Sequence, residues 1–354
     1  MKEIKVLIVD DSAFMRRVLS DMLQQDQRLT VVGAARNGRD CLRKLKQVQP
    51  DVITMDVEMP VMDGLSTLER IMEENPLPVV MVSSLTKDGT ESTLKAMELG
   101  AVDFIPKPSG AVSLDMTRVE AEIVRKVKGA AEADTGVLAR RHTPVYPRMP
   151  VFQKGTKRVI AVGTSTGGPR ALKEVLATLP EKLPAPLVIV QHMPPGFTKA
   201  LADRLDKLSS IKVKEGAHEE ELKNGVAYIA PGGTHMTVVQ KGERLYLHLN
   251  DQPPVSGHRP SVNTLFQSLA AVRGWMVTAV VMTGMGTDGL EGMIQLRSSC
   301  PTYTIAESAQ SCVVYGMPKA VVKSGMADEV TGVTNISAAI VRALQNQEGV
   351  EEWK

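Results

Sequence analysis

The sequence predicts an α/β protein: two doubly wound parallel-sheet domains joined by a linker. Three observations predict it. Short Val- and Ile-rich runs alternate with amphipathic stretches of helical period through residues 1–108, and the same alternation restarts at residue 158. Between the two series, residues 109–157 carry little periodicity beyond one charged helical stretch. Alternating β and α segments of these lengths fold into a parallel sheet covered on both faces, whose strands read as continuous apolar runs.

In the first domain the strands are expected at 4–9, 29–34, 51–55, 78–83 and 102–105, with helices at 15–23, 39–46, 65–73 and 91–99. Gly100 follows the last of these helices and reads as its C-cap, because glycine takes the left-handed conformation without a Cβ penalty. In the linker a charged helix at 115–133 gives way to 135–156, which holds three prolines. From 109 to 158 there are ten Lys or Arg against five acids, the composition of a solvated basic hinge, with a docking segment as the alternative. The second domain, 158–346, has strands expected at 159–163, 187–191, 226–230, 276–282 and 302–306. An antiparallel hairpin, 237–240 with 244–249, turns at Lys241-Gly242-Glu243, and helices are expected at 169–178, 199–208, 261–273 and 289–297. Residues 347–354 read as a frayed tail.

Composition excludes several function classes. Lys and Arg number 42 against 40 Asp and Glu, a net charge of +2, so no global field favours nucleic acid or an anionic membrane. A chain of 43% hydrophobic and 23% charged residues has ordinary cores and is not disordered. Three cysteines without a Cys-x-x-Cys pair support neither a disulfide framework nor a zinc-thiolate site. The N-terminal apolar run ends in two aspartates, and no other apolar run approaches the ~20 residues of a spanning helix. A soluble cytoplasmic protein is expected, without nucleic acid or membrane insertion.

Asp10 and Asp11 follow the first strand and Asp56 the third. In an open α/β sheet the strand C-termini surround the ligand crevice, and three carboxylates there repel one another unless a cation intervenes. Oxygen-only ligands suit Mg²⁺. Ser83 ends the fourth strand and Lys107 follows the fifth, adding a hydroxyl and an ammonium. Metal, carboxylate nucleophile and ammonium together provide the charge neutralisation and positioning that phosphoryl transfer to Asp requires.

These residues carry a resemblance. VDDSAFMRR, MDVEMPVMDG, MVSS and DFIPKP resemble the receiver domain of two-component response regulators over the whole first domain, which implies a flavodoxin-like fold. The resemblance implies Asp56 as phosphoacceptor, with Asp10, Asp11, Asp56 and the backbone carbonyl of Glu58 around Mg²⁺. It further implies Ser83 and Lys107 as phosphoryl contacts, Phe104 as the aromatic switch, and a frequent cis bond before Pro108. The phosphodonor is then a histidine kinase.

In the second domain, Gly163-Thr164-Ser165-Thr166-Gly167-Gly168 follows a strand and opens a helix. G-x-S-x-G is a nucleophile-elbow pattern, and the helix N-terminus favours an oxyanion. A phosphate-binding turn and a purely structural turn are the alternatives; the full G-x-G-x-x-G fingerprint is missing. A serine nucleophile needs a base and an orienting carboxylate. Of six histidines, His142 lies in the linker, His218 in an acidic stretch and His248 on a hairpin strand. His192, His235 and His258 remain, and spacing does not separate His192 from His235. Asp288 is the best-placed carboxylate, giving the order Ser…His…Asp, unlike the Ser…Asp…His of α/β-hydrolases.

GTSTGGP, VIVQHMPPGFT, IAPGGTHM, HRPSVN and MTGMGTDG resemble the catalytic domain of chemotaxis protein-glutamate methylesterases, the CheB family. The resemblance implies a Rossmann-like esterase domain with the triad Ser165, His192 and Asp288, Met285 N–H at the oxyanion, and His235 as a cleft wall. Asn263 stands where many relatives have Asp. The substrates implied are glutamate methyl esters on methyl-accepting chemoreceptors, with glutamine deamidation as a second activity and no cofactor for the ester chemistry. It also implies that the unphosphorylated receiver covers the esterase cleft and that phosphorylation releases it. A receiver-controlled nucleotide-binding module and a DNA-binding regulator are the rival readings; balanced charge and the missing helix-turn-helix pattern weigh against the latter.

Overall fold

The computed structural model describes residues 3–84, 86–107, 116–139, 146–147 and 157–345. Pro108, residues 140–145 and 148–156 of the linker, and the tail 347–354 lie outside them. The chain divides into two compact units, Met1–Arg141 and His142–Lys354.

The first unit runs β1 (Ile4–Val9), α1 (Ala13–Leu23), β2 (Leu29–Ala35), α2 (Gly38–Leu45), β3 (Val52–Asp56), α3 (Gly64–Glu74), β4 (Val79–Ser83), α4 (Lys87–Leu99), β5 (Asp103–Pro106), α5 (Met116–Ala131) and α6 (Thr135–Ala139). Its sheet is parallel in the order β2-β1-β3-β4-β5. Every residue of β3 and β4 is buried, as a central strand covered by helices on both faces requires. Helix entries are fixed by side-chain caps, with Ser12, Asn37, Asp63 and Thr86 each accepting a backbone N–H of the first turn. Those caps explain why α4 starts four residues before the apolar period does, because its first turn is polar. Gly100, at φ +110°, ends α4 as expected. Chain order reverses at β1 and β3, so the crevice of this sheet opens beside Asp10 and Asp56.

The second unit runs β6 (Lys157–Thr164), α7 (Gly168–Leu176), β7 (Leu187–Gln191), α8 (Phe197–Leu208), β8 (Lys212–Glu215), β9 (Val226–Ile229), β10 (His235–Lys241), β11 (Arg244–Asn250), α9 (Val262–Leu269), β12 (Trp275–Val281), α10 (Leu290–Ser299), β13 (Thr302–Glu307), α11 (Met317–Lys323), β14 (Glu329–Thr331) and α12 (Val333–Ala343). Its parallel sheet has the order β14-β13-β12-β6-β7-β9-β8, and β10 and β11 pair antiparallel as a separate hairpin. One face is covered by α9, α10, α11 and the hairpin, whose buried side chains form one core with β6, β7 and β12. Chain order reverses between β6 and β12, which puts the ligand crevice between the loops that follow those two strands.

Four elements of this unit go beyond the sequence reading. The strands β8 and β14 are sheet edges of four and three residues, short and charged as edges often are, so they carry little apolar signal. Helix α11 is only seven residues long. Helix α12 buries Val333, Ile336, Ala339, Ile340 and Ala343, a helical spacing that the sequence does carry. Helix α9 ends at Leu269, short of the expected 273.

Candidate functional site

In the first unit, Asp10, Asp11 and Asp56 converge, with one carboxylate oxygen of each within 4.8 Å of the others. Asp10 and Asp56 are buried and Asp11 is exposed. Asp10 Oδ1 accepts the Ser12 N–H at 2.8 Å, while its Oδ2 is buried with no partner among the described residues. Lys107 Nζ donates to Asp56 Oδ2 at 2.8 Å. Burial, followed by the Asp56 charge, pushes the Asp10 carboxyl up to about 6. Burial likewise raises Asp56, against the opposing pull of Lys107. Burial disfavours the Lys107 charge, but its bond to Asp56 and the neighbouring carboxylates outweigh that and raise it. Raised carboxyls and an unpaired buried oxygen are the signature of a site short of positive charge, and an all-oxygen donor set fits Mg²⁺.

Glu58 lies on the loop after β3, and its N–H approaches Asp56 Oδ1 at 3.4 Å. Ser83 ends β4 buried, with its hydroxyl donating to the Gly89 carbonyl at 3.0 Å rather than turning to Asp56. Phe104 is buried on β5 with the Lys126 ammonium 4.8 Å from its ring centre.

In the second unit, Ser165 follows β6 and His192 follows β7. Thr164 and Gln191 are register partners, so the two residues leave adjacent strand ends side by side. His192 Nε2 and Asp288 Oδ2 are 2.8 Å apart. Asp288 reaches this point from the loop after β12, and its carboxylate also accepts the Ser261 hydroxyl at 2.9 Å, Val262 N–H at 2.7 Å and Asn263 N–H at 3.0 Å. Those donors are the N-cap and first turn of α9. Burial pushes the Asp288 carboxyl up, but the His192 bond and the α9 donors outweigh it and hold it down at about 2. An ionised Asp288 accepts a hydrogen bond from the Nε2–H of His192, which leaves the lone pair of His192 on Nδ1. That atom is buried and makes no hydrogen bond among the described residues, the Ser165 hydroxyl included.

The turn carrying Ser165 is built by close approach. A Cβ on Gly168 would lie 1.9 Å from Gln191 Oε1, and one on Gly284 would lie 2.8 Å from the Ser165 Cβ. Ser165 N–H donates to the Thr283 carbonyl at 3.0 Å, tying the turn to the loop after β12. Met285 comes two residues later, half-buried, and its N–H has no partner among the described residues. A Cβ on Gly167 would lie 2.7 Å from the Val313 Cβ, so both glycines of the turn are closely packed.

The family model of the CheB methylesterase matches residues 160–340, and that of the response regulator receiver domain matches residues 6–117. The chain belongs to the CheB methylesterase family. It is 54% identical over 340 residues to the protein-glutamate methylesterase/protein-glutamine glutaminase of Halalkalibacterium halodurans, covering 96% of this chain and 98% of that one. To the Bacillus subtilis protein of the same description it is 45% identical over 359 residues, covering 97% and 99%. The solved CheB methylesterase catalytic domain of Thermotoga maritima is 38% identical with a TM-score of 0.51, covering 53% of this chain and all of that one (100%). A receiver domain implies Mg²⁺-dependent phosphorylation by a phosphodonor kinase, and CheB membership implies chemoreceptors as the other partner class. No helix among the described residues is long and apolar enough to cross a membrane.

Further residues tie the segments of this site together. Gln191 Nε2 donates to the carbonyls of Ser165 and His192 at 3.0 and 3.2 Å, linking the Ser165 turn to His192. Asn263 Oδ1 accepts the N–H groups of Gly289 and Gly292, both at 2.9 Å, so it caps α10 just after Asp288 while Asp288 caps α9. A polar residue in the first turn of a helix is the only signal the sequence offers for that exchange. His258 stacks on His192 with ring centres 3.8 Å apart and planes 6° apart. His235 is buried and its Nε2 pairs with the Pro253 carbonyl at 3.1 Å, away from the His192–Asp288 pair. His218 and His248 flank Glu219 on the surface. His218 Nδ1 accepts the Leu249 N–H at 3.1 Å, so its nitrogen facing Glu219 carries the proton and is not free to ligate.

Proposed function

We propose that the chain is a serine esterase controlled by phosphorylation of Asp56, which hydrolyses glutamate methyl esters on chemoreceptor cytoplasmic helices. The observation that carries this reading is the 2.8 Å His192–Asp288 pair beside the Ser165 turn, in a chain that also holds the Asp10–Asp56–Lys107 pocket. The receiver occupies 1–108, the last receiver helix and the basic linker 109–157, and the esterase domain 158–346.

Ser165 Oγ attacks the ester carbonyl as its proton passes to His192 Nδ1. Asp288 stabilises the imidazolium through Nε2. The oxyanion of the tetrahedral intermediate is held by the Met285 N–H, with the N-terminus of α7 adding positive potential. His192 returns the proton to the departing methoxy oxygen, and methanol leaves an acyl-Ser165. Water, deprotonated by His192, then releases the glutamate carboxylate and regenerates Ser165. With a glutamine side chain the same sequence releases ammonia, which is the deamidation reading. On the receiver side Asp10, Asp11, Asp56 and the Glu58 carbonyl would hold Mg²⁺, which supplies charge neutralisation for the incoming phosphoryl group. Lys107 contacts that group, and Ser83 leaves the Gly89 carbonyl to do the same while the Phe104 side chain reorients. The phosphodonor is a chemotaxis histidine kinase.

Methanol release from methylated receptor fragments tests the proposal, with and without a small phosphodonor and Mg²⁺. Release should disappear in Ser165→Ala and should respond to phosphodonor in wild type but not in Asp56→Asn. Release that persists in Ser165→Ala would overturn the assignment.

A further inference from the structure

Glu307 ends β13 fully buried, and no step of the proposed reaction uses it. Its Oε2 accepts the Thr283 N–H at 2.7 Å and its Oε1 the Ser311 hydroxyl at 2.9 Å. Ser311 Oγ in turn accepts the Val333 N–H at the start of α12, at 3.0 Å. Thr283 is the hub of the nucleophile turn. Its carbonyl accepts the Ser165 N–H at 3.0 Å and the Thr164 hydroxyl at 2.9 Å. Its hydroxyl donates to the Thr166 carbonyl at 2.9 Å and accepts the Val314 N–H at 3.1 Å. One residue, Thr283, therefore stands between the Glu307 carboxyl and the residue that would attack the ester.

The groups facing Glu307 are the Thr283 N–H from the loop after β12 and the Ser311 hydroxyl and Cys312 thiol from the segment after β13. Through Ser311 the start of α12 joins them. No Lys, Arg or His is bonded to Glu307 among the described residues. Burial without a cation pushes its carboxyl up to about 7. A buried carboxyl with no countercharge costs stability where a hydrogen-bonded amide in its place would not.

We propose that Glu307 is a positioning residue for the ester hydrolysis: its ionised carboxylate anchors the backbone at Thr283, whose carbonyl and hydroxyl hold the Ser165 turn in its reactive shape. The inference rests on the reading of Ser165 as nucleophile. A charged acceptor makes the bond to the Thr283 N–H shorter and stronger, and so fixes the backbone at Thr283 whose carbonyl and hydroxyl hold the Ser165 turn. Protonation weakens that anchor. It also sets an opposing trend in stability. The folded carboxyl holds its proton more tightly than an unfolded one at 4.5, so stability falls as pH rises from 4.5 through about 7.

The test compares the full-length wild type with Glu307→Gln, Glu307→Leu and Ser165→Ala, with phosphodonor and Mg²⁺ present. It measures kcat and KM for methanol release, the rate at which a fluorophosphonate labels Ser165, and Tm, from pH 6 to 9. Glu307→Leu should lose roughly ten-fold or more in both kcat and labelling rate with KM within about two-fold. Glu307→Gln keeps the acceptor and should recover most of that loss at pH 8.5, while melting higher than wild type there. The acid limb of the wild-type labelling rate should be steeper than one proton, and that of Glu307→Gln should be one proton. Wild-type turnover in Glu307→Leu, or superimposable pH profiles for wild type and Glu307→Gln, would overturn the proposal. If Glu307→Leu does not fold, the Gln profile and Tm decide alone. Hydrolysis that survives in Ser165→Ala overturns the nucleophile reading itself and is told apart by the absence of any Ser165 dependence.

Discussion

Asp56 and Asp288 are both buried at the C-terminal edge of a parallel sheet, beside the strands where chain order reverses, and their environments push them in opposite directions. Asp56 shares its pocket with two other carboxylates and one ammonium, and burial leaves it raised. Asp288 accepts from His192, the Ser261 hydroxyl and two N–H groups of α9, and it is held at about 2. Topology alone therefore does not assign a role to a strand-end carboxylate. The donor count does. A carboxylate with too few donors is poised to take up a cation or a phosphoryl group. One whose lone pairs are all used is poised to stay ionised and fix its neighbour.

The sharpest way to break this contrast is to remove the charge at each site. Asp288→Asn keeps the shape but presents an amide to Nε2, which favours the wrong histidine tautomer. In other serine hydrolases that change lowers kcat about 10⁴-fold, and a comparable loss of methanol release is expected here. Asp56→Asn should abolish incorporation of an acid-labile phosphoryl group and with it the response to phosphodonor. If Asp288→Asn lost less than about ten-fold, the contrast would be one of packing only.

A second test uses acid. The His192 bond and the α9 donors hold Asp288 below the ordinary carboxylate range in the fold. Because the folded value is depressed, the stability this contributes is present above pH 3.8 and is lost as pH falls below it. Asp10 is the reverse case, raised to about 6, so without a cation its burial costs stability as pH rises from 3.8 through 6. Mg²⁺ should therefore raise Tm more at pH 7.5 than at pH 5, and Asp10→Asn should remove most of that shift. An equal shift at both pH values would mean that Mg²⁺ binds elsewhere.

Strand ends and motif turns made most of this arrangement legible in the sequence. Ile4–Val9 and Leu187–Gln191 are seen with the expected bounds, and Asp10 and His192 are the first residues after them. Spacing left His192 and His235 unresolved, because each follows a strand. What separates them is a third segment: Asp288 arrives from a loop nearly a hundred residues away, and the Pro253 carbonyl takes His235 instead. The exchange of caps between Asp288 and Asn263 was not legible for the same reason. Its bonds join two helix N-termini whose approach is set by packing of α9 on α10, and local propensity carries no information about that packing.

That exchange of caps gives a mid-sized prediction. Asn263→Ala leaves the N–H groups of Gly289 and Gly292 without their acceptor and frees the backbone that carries Asp288. A lost cap costs about 1 kcal/mol, up to about 2. Tm should drop accordingly, and kcat should fall by up to about ten-fold with KM little changed. Asn263→Asp, which keeps an acceptor at the helix N-terminus, should restore both. Recovery of Tm without recovery of kcat would show that the cap serves the fold and not the orientation of Asp288.

The smallest effect belongs to His258, and it distinguishes the two halves of the His192 environment. Asp288 fixes one edge of the imidazole, but a single hydrogen bond leaves the ring free to rock about it. The face is fixed by His258, whose ring lies 3.8 Å away and within 6° of parallel. His258 is itself held in a tight turn by reciprocal backbone bonds with Val255 at 3.0 and 2.9 Å. A stacked pair of this kind is worth about 0.5–1.5 kcal/mol. His258→Ala should accordingly slow hydrolysis roughly two- to ten-fold without touching phosphoryl uptake at Asp56, and His258→Phe, which retains a flat partner, should recover most of the rate. If Phe were as slow as Ala, the polar atoms of His258 rather than its face would be what His192 uses, and the orientation of the base would rest on Asp288 alone.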